Sequence, residues 1–479
     1  MTAAGYRIVL PSGLEFDFTN MFGAERLQQT DIAALEAKIT EAAKALEHMR
    51  ATGEAPGHLS KDGNLEHVYF PRLPYVREGY PNTPELLQEL ELCGKDIREN
   101  CDVVVFCGIG GSYLGGKVLY DCFSSRLWEG AKPQGRLSKI YFSGNSLDVE
   151  DMESIWLEMQ EAAQKLLASG RKLQVAVVPI SKSGTTLEST AAFLYFYNQV
   201  KSNGAEFDLK VAVVTDKHNA KAPLNILAQE NNWPMFDVVE GIGGRFSVLS
   251  TPGLIVAAIL GIDMQELLAG AAAMDKACVS PVLGENPALA NAVYKYLAGA
   301  KYGCNIEVMM PYSFKLASLG NWYVQLLAES LGKRKDKQGK TVFYGRTPTA
   351  AIGTTDMHSQ TQLHQEGRRD KIIQFIALGG AMEKIKLSNP FPQIEAFSKF
   401  EGLDVNKALL VALHANAEAL TSDNRFNACY NLPQLNAYFL GQIFYYLMLT
   451  VAYEGELANV DAYDQPGVEV YKRIMNRNL

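Results

Sequence analysis

The segment Leu173-Gln-Val-Ala-Val-Val-Pro-Ile-Ser-Lys-Ser-Gly-Thr-Thr-Leu-Glu-Ser-Thr190 restricts the fold more than any other part of the chain. An apolar run stops at Ser181, Lys182, Ser183, Gly184, Thr185 and Thr186, and a helix-like run, Ala191 to Val200, follows. Continuous Val and Ile without alternation is the pattern of a strand buried on both faces, as in a parallel sheet covered by helices. Thr185 and Glu188 have the spacing of a capping box, which predicts that the next helix starts here with free N–H groups. Those donors, the hydroxyls of Ser181, Ser183, Thr185 and Thr186 and the Lys182 ammonium suit a dianionic phosphate. The same residues also fit an ordinary capped turn between strand and helix.

Strand–turn–helix repeats around this segment. Val103–Cys107, Lys139–Phe142, Leu173–Ile180, Leu209–Thr215 and Met235–Val239 read as strands, most of them separated by helical stretches. A second round follows, with strands at Asn305–Met310, Val342–Gly345 and Lys371–Leu378 and helices at Asn286–Ala300, Ser318–Leu331 and Val405–Leu420. Such alternation predicts an α/β protein with doubly wound parallel sheets in two subdomains, 101–255 and 285–450. Before them, residues 1–100 read as a partly helical N-terminal extension. It holds short strand-like pieces at Tyr6–Leu10 and Leu14–Phe18, an amphipathic helix from Asp31 to Met49, an extended connection from Thr52 to Pro84 and a helix to Asn100. Residues 451–479 form a helical C-terminal tail.

With 479 residues the chain can bury large cores, and its 47% apolar and 20% charged residues are ordinary for a globular protein. A formal charge of −8 argues against nucleic acid or an anionic membrane as partner and leaves small metabolites. Seven cysteines without a C-x-x-C pair support neither a zinc ribbon nor a redox motif, and they indicate a reduced, cytoplasmic setting. The N-terminus lacks a signal-peptide core and no apolar run reaches membrane-spanning length. Phe439 to Val451, interrupted by Gln442, reads as a core helix.

Five further stretches carry candidate chemistry. In Gly108-Ile-Gly-Gly-Ser-Tyr-Leu-Gly-Gly-Lys-Val118, Tyr113 stands where a dinucleotide fingerprint needs glycine, and Val118 stands where a P-loop needs Ser or Thr. What survives is a glycine turn that lets the backbone approach a ligand, with Ser112 at a helix mouth. In Gly243-Gly-Arg-Phe-Ser247, Arg245 is either a fixed cation for a developing oxyanion or one end of a salt bridge. Gln325 and Glu329 share one face of the next helix. Glu329 is either a general base or the partner of Lys333 in a surface i,i+4 pair. The segment 353–367 holds His358 and His364, whose spacing fits no common zinc pattern; a loop imidazole is better suited to proton transfer. Finally, Pro466 is expected to open a last helix, with Gln465 before it and Lys472 either functional or paired with Glu469.

Taken in order, Gly108-Ile-Gly-Gly-Ser112, Ser181-Lys-Ser-Gly-Thr-Thr186, Gly243-Gly-Arg-Phe-Ser-Val-Leu-Ser250, Gln325 to Lys333, Asp356 to Gly367 and Tyr463-Asp-Gln-Pro-Gly-Val-Glu-Val-Tyr-Lys472 resemble the glucose-6-phosphate isomerase family, in its compact bacterial-type branch. The resemblance runs from about residue 60 to the C-terminus. It implies two flavodoxin-like sugar-isomerase (SIS) subdomains, a homodimer with a shared site, a hexose 6-phosphate substrate and no metal or organic cofactor. By motif, Ser112, Ser181, Lys182, Ser183, Thr185 and Thr186 would surround the substrate phosphate, and Gly111 would also contact substrate. His358, reaching the neighbouring subunit's site, and Lys472 would assist ring opening. Glu329 would shuttle the proton between C1 and C2, Arg245 beside Gly244 would stabilise the enediolate, and Gln325 and Gln465 would contact substrate. Isomerases that also take mannose 6-phosphate or an amino-sugar phosphate are close alternatives. A sugar-phosphate sensor without turnover is a more distant one, and the presence of Glu329 and Arg245 weighs against it.

Overall fold

The computed structural model describes residues 6–60, 62–124, 136–380 and 384–478; the first residues of the N-terminus, where no signal core was expected, lie outside the described residues. Two compact units divide the chain. Val68–Ala272 forms one, and Met1–His67 joins Ala273–Leu479 in the other. The extension read as residues 1–100 is therefore split, because its first strands pair with a strand some four hundred residues away.

In the unit Val68–Ala272, four parallel strands lie in the order Lys139–Ser143, Val103–Cys107, Leu173–Pro179, Phe207–Val211. The expected strand Leu209–Thr215 breaks at Ala212. Its second piece, Val213–Thr215, bridges to Ile180 through Val214 and pairs in parallel with Met235–Asp237. Numbered along the chain, the spatial order is 2-1-3-4-5, the flavodoxin-like arrangement. The neighbouring strands Val103–Cys107 and Leu173–Pro179 connect onward in opposite directions, and it is at the carboxyl ends of such a strand pair that doubly wound sheets bind ligands. Val105, Val175 and Val177 pack against Phe193 and Phe196 of the helix Leu187–Ser202. Each such buried side chain contributes roughly 1.5–3 kcal/mol relative to exposure.

The other unit repeats that order. Thr347–Ala350, Ile306–Pro311, Lys371–Leu378 and Phe426–Leu432 run parallel as strands 2-1-3-4. The fifth position is taken by Glu15–Asp17, antiparallel to Phe426–Leu432, and Arg7–Val9 adds outside it. The N-terminal extension thus completes a sheet. The expected strand Val342–Gly345 is Thr341–Tyr344, which pairs with Lys333–Lys335 in a separate ribbon; the sheet member is Thr347–Ala350. Within the expected extended connection lie a hairpin, Glu54–Leu59 with Leu65–His67, and a short turn, Phe70–Arg72. Ala437–Ala458 is a buried helix with Gln442 fully enclosed, and no helix among the described residues is long and apolar enough to cross a membrane.

A net-neutral charge cluster lies in the core of this unit. Lys295, Glu307, Arg346 and Glu454 are each at most 8% exposed. Lys295 Nζ is 3.0 Å from Glu307 Oε1, and Arg346 Nη2 lies 2.8 Å from Glu307 Oε2 and 2.7 Å from Glu454 Oε2. Burial alone would raise the Glu307 carboxyl, but Lys295 and Arg346 hold it down at about 2. Tyr323, on the helix Ala317–Leu331, donates to Glu307, so the cluster roots that helix.

Candidate active site

The unit Val68–Ala272 carries the hydroxyl-rich loops. Gly108 N–H donates to Ser143 O (3.0 Å) and Ile180 N–H to Cys107 O (2.9 Å), which fixes both loops to neighbouring strand ends. The N-cap of Leu187–Ser202 is Thr186, and no side chain caps it, so the expected Thr185/Glu188 box does not form. The reason is local. Ser183 Oγ accepts from both the N–H (3.2 Å) and the hydroxyl (3.1 Å) of Thr185, while Ser181 Oγ donates to Thr186 Oγ1 at 3.2 Å. The hydroxyls hold one another and leave the helix end available to an anion. Ser181 is buried, whereas Lys182, Ser183 and Thr185 are exposed. The Lys182 carbonyl is occupied by Thr215 Oγ1 and Asp216 N–H, each at 3.3 Å.

The two glycine loops meet in the same unit. A Cβ on Gly111 would stand 2.0 Å from Gly244 O, so that contact requires glycine. Ser247 Oγ donates to Gly244 O (2.7 Å) and approaches Gly111 O (3.3 Å). Ser112 closes the short turn Gly110–Ser112 beside this contact. Arg245 follows it in the turn Gly244–Leu249 and is 2% exposed, which sets it apart from a solvated surface charge. Its neighbour Phe246 stacks on Phe70, ring centroids 4.8 Å apart.

The other unit carries the candidate base. Helix Ala317–Leu331 buries Trp322, Tyr323, Leu326 and Leu327 and leaves Gln325 and Glu329 half-buried on another face. Gln325 Nε2 donates to Glu329 Oε1 at 3.0 Å. Gln325 Oε1 is buried without a partner among the described residues, an acceptor suited to a ligand hydroxyl. Lys333 is not the surface charge expected: it is 5% exposed. Its ammonium donates to the main-chain oxygen of Glu329 (2.9 Å) and to both the main-chain oxygen (2.6 Å) and Oδ1 (2.7 Å) of Asp464. Gln465 comes next and is exposed. The last helix is Val468–Asn478, beginning two residues after Pro466, because residues up to Gly467 form a turn. Lys472 Nζ lies 3.3 Å from Glu469 Oε1, with its side chain 42% exposed.

His358 stands apart from Glu329. Gly320 of the base helix packs against Ala350, at the carboxyl end of Thr347–Ala350, whereas Gly332 packs against Gly345, just before that strand. About 13 Å of helix separates Gly320 from Glu329. His358 follows the strand's carboxyl end and is exposed. One chain therefore places Glu329 toward the amino ends and His358 toward the carboxyl ends of the strands of one sheet. His364 is buried in the helix Thr361–Glu366, where burial lowers its pKa from the ordinary imidazole value. Among the described residues no group of three or more His, Cys, Asp or Glu is arranged to hold a metal ion.

Sequence alone did not single out Asp464, Asp461 or His58 as part of this region. His58 Nδ1 lies 2.9 Å from Asp461 Oδ2, and Asp461 Oδ1 accepts the Tyr463 N–H at 2.9 Å. Burial would raise the Asp461 carboxyl, but the bond to His58, with help from Lys333, holds it below the usual range. The only local signal was the position of Asp461 and Asp464 just before Gln465; His58 carried none.

Residues 66–478 match the model of a family described as Phosphoglucose isomerase. The chain is 33% identical over 466 residues to a glucose-6-phosphate isomerase of Carboxydothermus hydrogenoformans, covering 96% of this chain and 93% of that protein. It is 34% identical over 416 residues to one of Rubrobacter xylanophilus, covering 85% and 87%. Among solved structures, a hypothetical protein from Thermus thermophilus aligns with a TM-score of 0.77 at 27% identity, covering 97% of this chain and 99% of that one. A glucose-6-phosphate isomerase from Chlamydia trachomatis shares the fold, with a TM-score of 0.77 at 21% identity over 98% and 89% of the two chains.

Proposed function

The chain belongs to the phosphoglucose isomerase family, and we propose from that premise that it interconverts glucose 6-phosphate and fructose 6-phosphate through an enediolate, with Glu329 as the proton-shuttling base. The observation that carries this reading is the family match over residues 66–478, within which a half-buried carboxylate, Glu329, is held by Gln325. His358 and Lys472 move a proton from the anomeric hydroxyl to the ring oxygen, which opens the ring. Glu329 then removes the proton from C2 and returns it to C1 as the hydroxyl proton passes from O2 to O1, while Arg245 stabilises the enediolate oxygen. One carboxylate serves both carbons, so no hydride carrier is needed and no metal is invoked.

Ser112, Ser181, Lys182, Ser183, Thr185 and Thr186, with the backbone at Gly111 and Gly244, anchor the phosphate. That end is remote from the reacting carbons, so its binding energy serves orientation. Ser183→Ala with Thr186→Ala is expected to raise KM for fructose 6-phosphate by at least about tenfold, since bonds to a charged group are worth about 1.5–3 kcal/mol each. Steady-state kinetics check this, and an unchanged KM would remove the loop from the phosphate site.

The same proposal includes a homodimer that shares its sites. The placement of His358 and Glu329 toward opposite ends of the strands supports donation of His358 to the neighbouring subunit. So does a run of exposed apolar residues, Phe391, Ile394, Phe397 and Phe400, each at least 38% exposed. The expected solution mass is twice the 52.7 kDa of one chain, and an active monomer would contradict the trans placement. The free cysteines, most of them buried, support a cytoplasmic location; recovery from a secreted fraction would speak against it.

A further inference from the structure

The described residues near Glu329 include a buried cation to which the reaction assigns no role. Lys333 lies one turn beyond Glu329, just past the helix end at Gly332, and its ammonium grips the main-chain oxygen of Glu329 itself. Two further bonds go to Asp464, the residue before Gln465. A buried ammonium with three acceptors in place has little freedom to move, and taking it out of water has a cost that a solvated surface lysine avoids. A second pair grips the same loop three residues earlier. His58, 7% exposed and carried on the hairpin Glu54–Leu59/Leu65–His67, holds Asp461, and the Tyr463 ring lies edge-on to the imidazole with centroids 5.7 Å apart.

We propose that Lys333 is a positioning residue for the base: it ties the last turn of the Glu329 helix to the loop 461–465 and so fixes Glu329 relative to Gln465, with the His58–Asp461 pair anchoring the loop's other end. The proposal rests on Glu329 being the base. A base that serves two adjacent carbons must reach both from one placement, and a displacement near 1 Å can cost about a hundredfold in rate. The N-terminal hairpin gains a role on this account, since it supplies the histidine that seats the loop.

Lys333→Met keeps the length and removes the charge. The expected result is a kcat for fructose 6-phosphate lowered by about 30–100-fold with KM within about threefold, because the phosphate anchor is untouched. Asp464→Asn, a milder change at a partly exposed residue, is expected to lower kcat by a smaller factor. In the double variant the two losses should fall short of their product, since both break one link. Lys333→Arg, which keeps a donor, should recover part of the rate. A purely structural lysine would instead leave kcat per folded molecule unchanged while lowering the melting temperature. That outcome, or multiplicative losses in the double variant, overturns the proposal. If Lys333→Met does not fold, Asp464→Asn and Lys333→Arg decide alone: both at wild-type kcat overturn it. A fully active Glu329→Gln variant would remove the base assignment itself, a result distinct from any of these.

Discussion

Glu329→Gln is expected to lower kcat by about 10²–10⁴-fold, the range that general acid–base catalysis supplies, with sugar-phosphate binding retained. The substitution preserves shape and the contact with Gln325, whose amide donates to Glu329 Oε1 at 3.0 Å. What it removes is the capacity to hold a proton during its move from one carbon to the next. A loss confined to transition-state stabilisation lowers kcat and kcat/KM together. Isothermal titration with a substrate analogue, alongside initial rates, separates the two effects. Near-normal turnover by this variant would dismiss Glu329 as the base.

The second large effect is on stability. Glu454→Gln leaves the buried cluster with one positive charge in excess: Arg346 keeps Glu307 but meets a neutral amide where a carboxylate accepted two bonds, and Tyr344 loses a charged acceptor at 2.6 Å. Breaking one member of a buried ion pair costs about 3–5 kcal/mol, whereas removing both members together costs less. Urea unfolding of Glu454→Gln should therefore show the larger loss, and Arg346→Met with Glu454→Leu the smaller. The reverse order would mean that the cluster is not an electrostatic unit. Glu307 adds a pH dependence with a definite sign. Its carboxyl is held at about 2 in the folded chain, below its ordinary 4.5. Its contribution is thus complete above the ordinary value and is lost as pH falls toward 2. Because Tyr323 donates to Glu307 from the helix that carries Glu329, loosening the cluster also loosens the base.

Much of this arrangement is legible in the sequence where local pattern and tertiary role agree. Val103–Cys107 is unbroken apolar and buried along its whole length, so its strand reads directly. Pro84–Asn100 has the bounds expected because Thr83 caps it, accepting from Leu86 N–H at 3.1 Å. Phe426–Leu432 was missed because Asn427 and Asn431 interrupt its apolar pattern. Both asparagines are satisfied inside the fold, Asn427 by Thr421 Oγ1 at 3.0 Å and Asn431 by Glu15 Oε1 at 3.1 Å. The second bond comes from the N-terminal strand that completes the sheet, a partner no local window contains.

The candidate site divides in the same way. The motif residues were visible by type and spacing, and the loops fall at strand ends where a doubly wound sheet binds ligands. Lys333 entered only as the surface partner in the alternative reading of Glu329, because spacing reports which residues share a helix face, not which are buried. Its partner Asp464 lies 131 positions away. The same limit applies to Thr185: its spacing to Glu188 is right, but the helix starts at Leu187, so Thr186 occupies the N-cap position without a side-chain bond and Thr185 bonds Ser183 instead.

The proposed mechanism has one carboxylate, Glu329, moving a proton between adjacent carbons of an open-chain hexose 6-phosphate. Its most direct test is to give fructose 6-phosphate to the purified wild-type protein and to Glu329→Gln, side by side, in D2O containing EDTA. The wild type is expected to form glucose 6-phosphate, part of it with deuterium at C2, and the variant almost none. Wild-type protein that makes no aldose phosphate, or makes it only when a metal is restored, or a variant that keeps pace with the wild type, would contradict this mechanism.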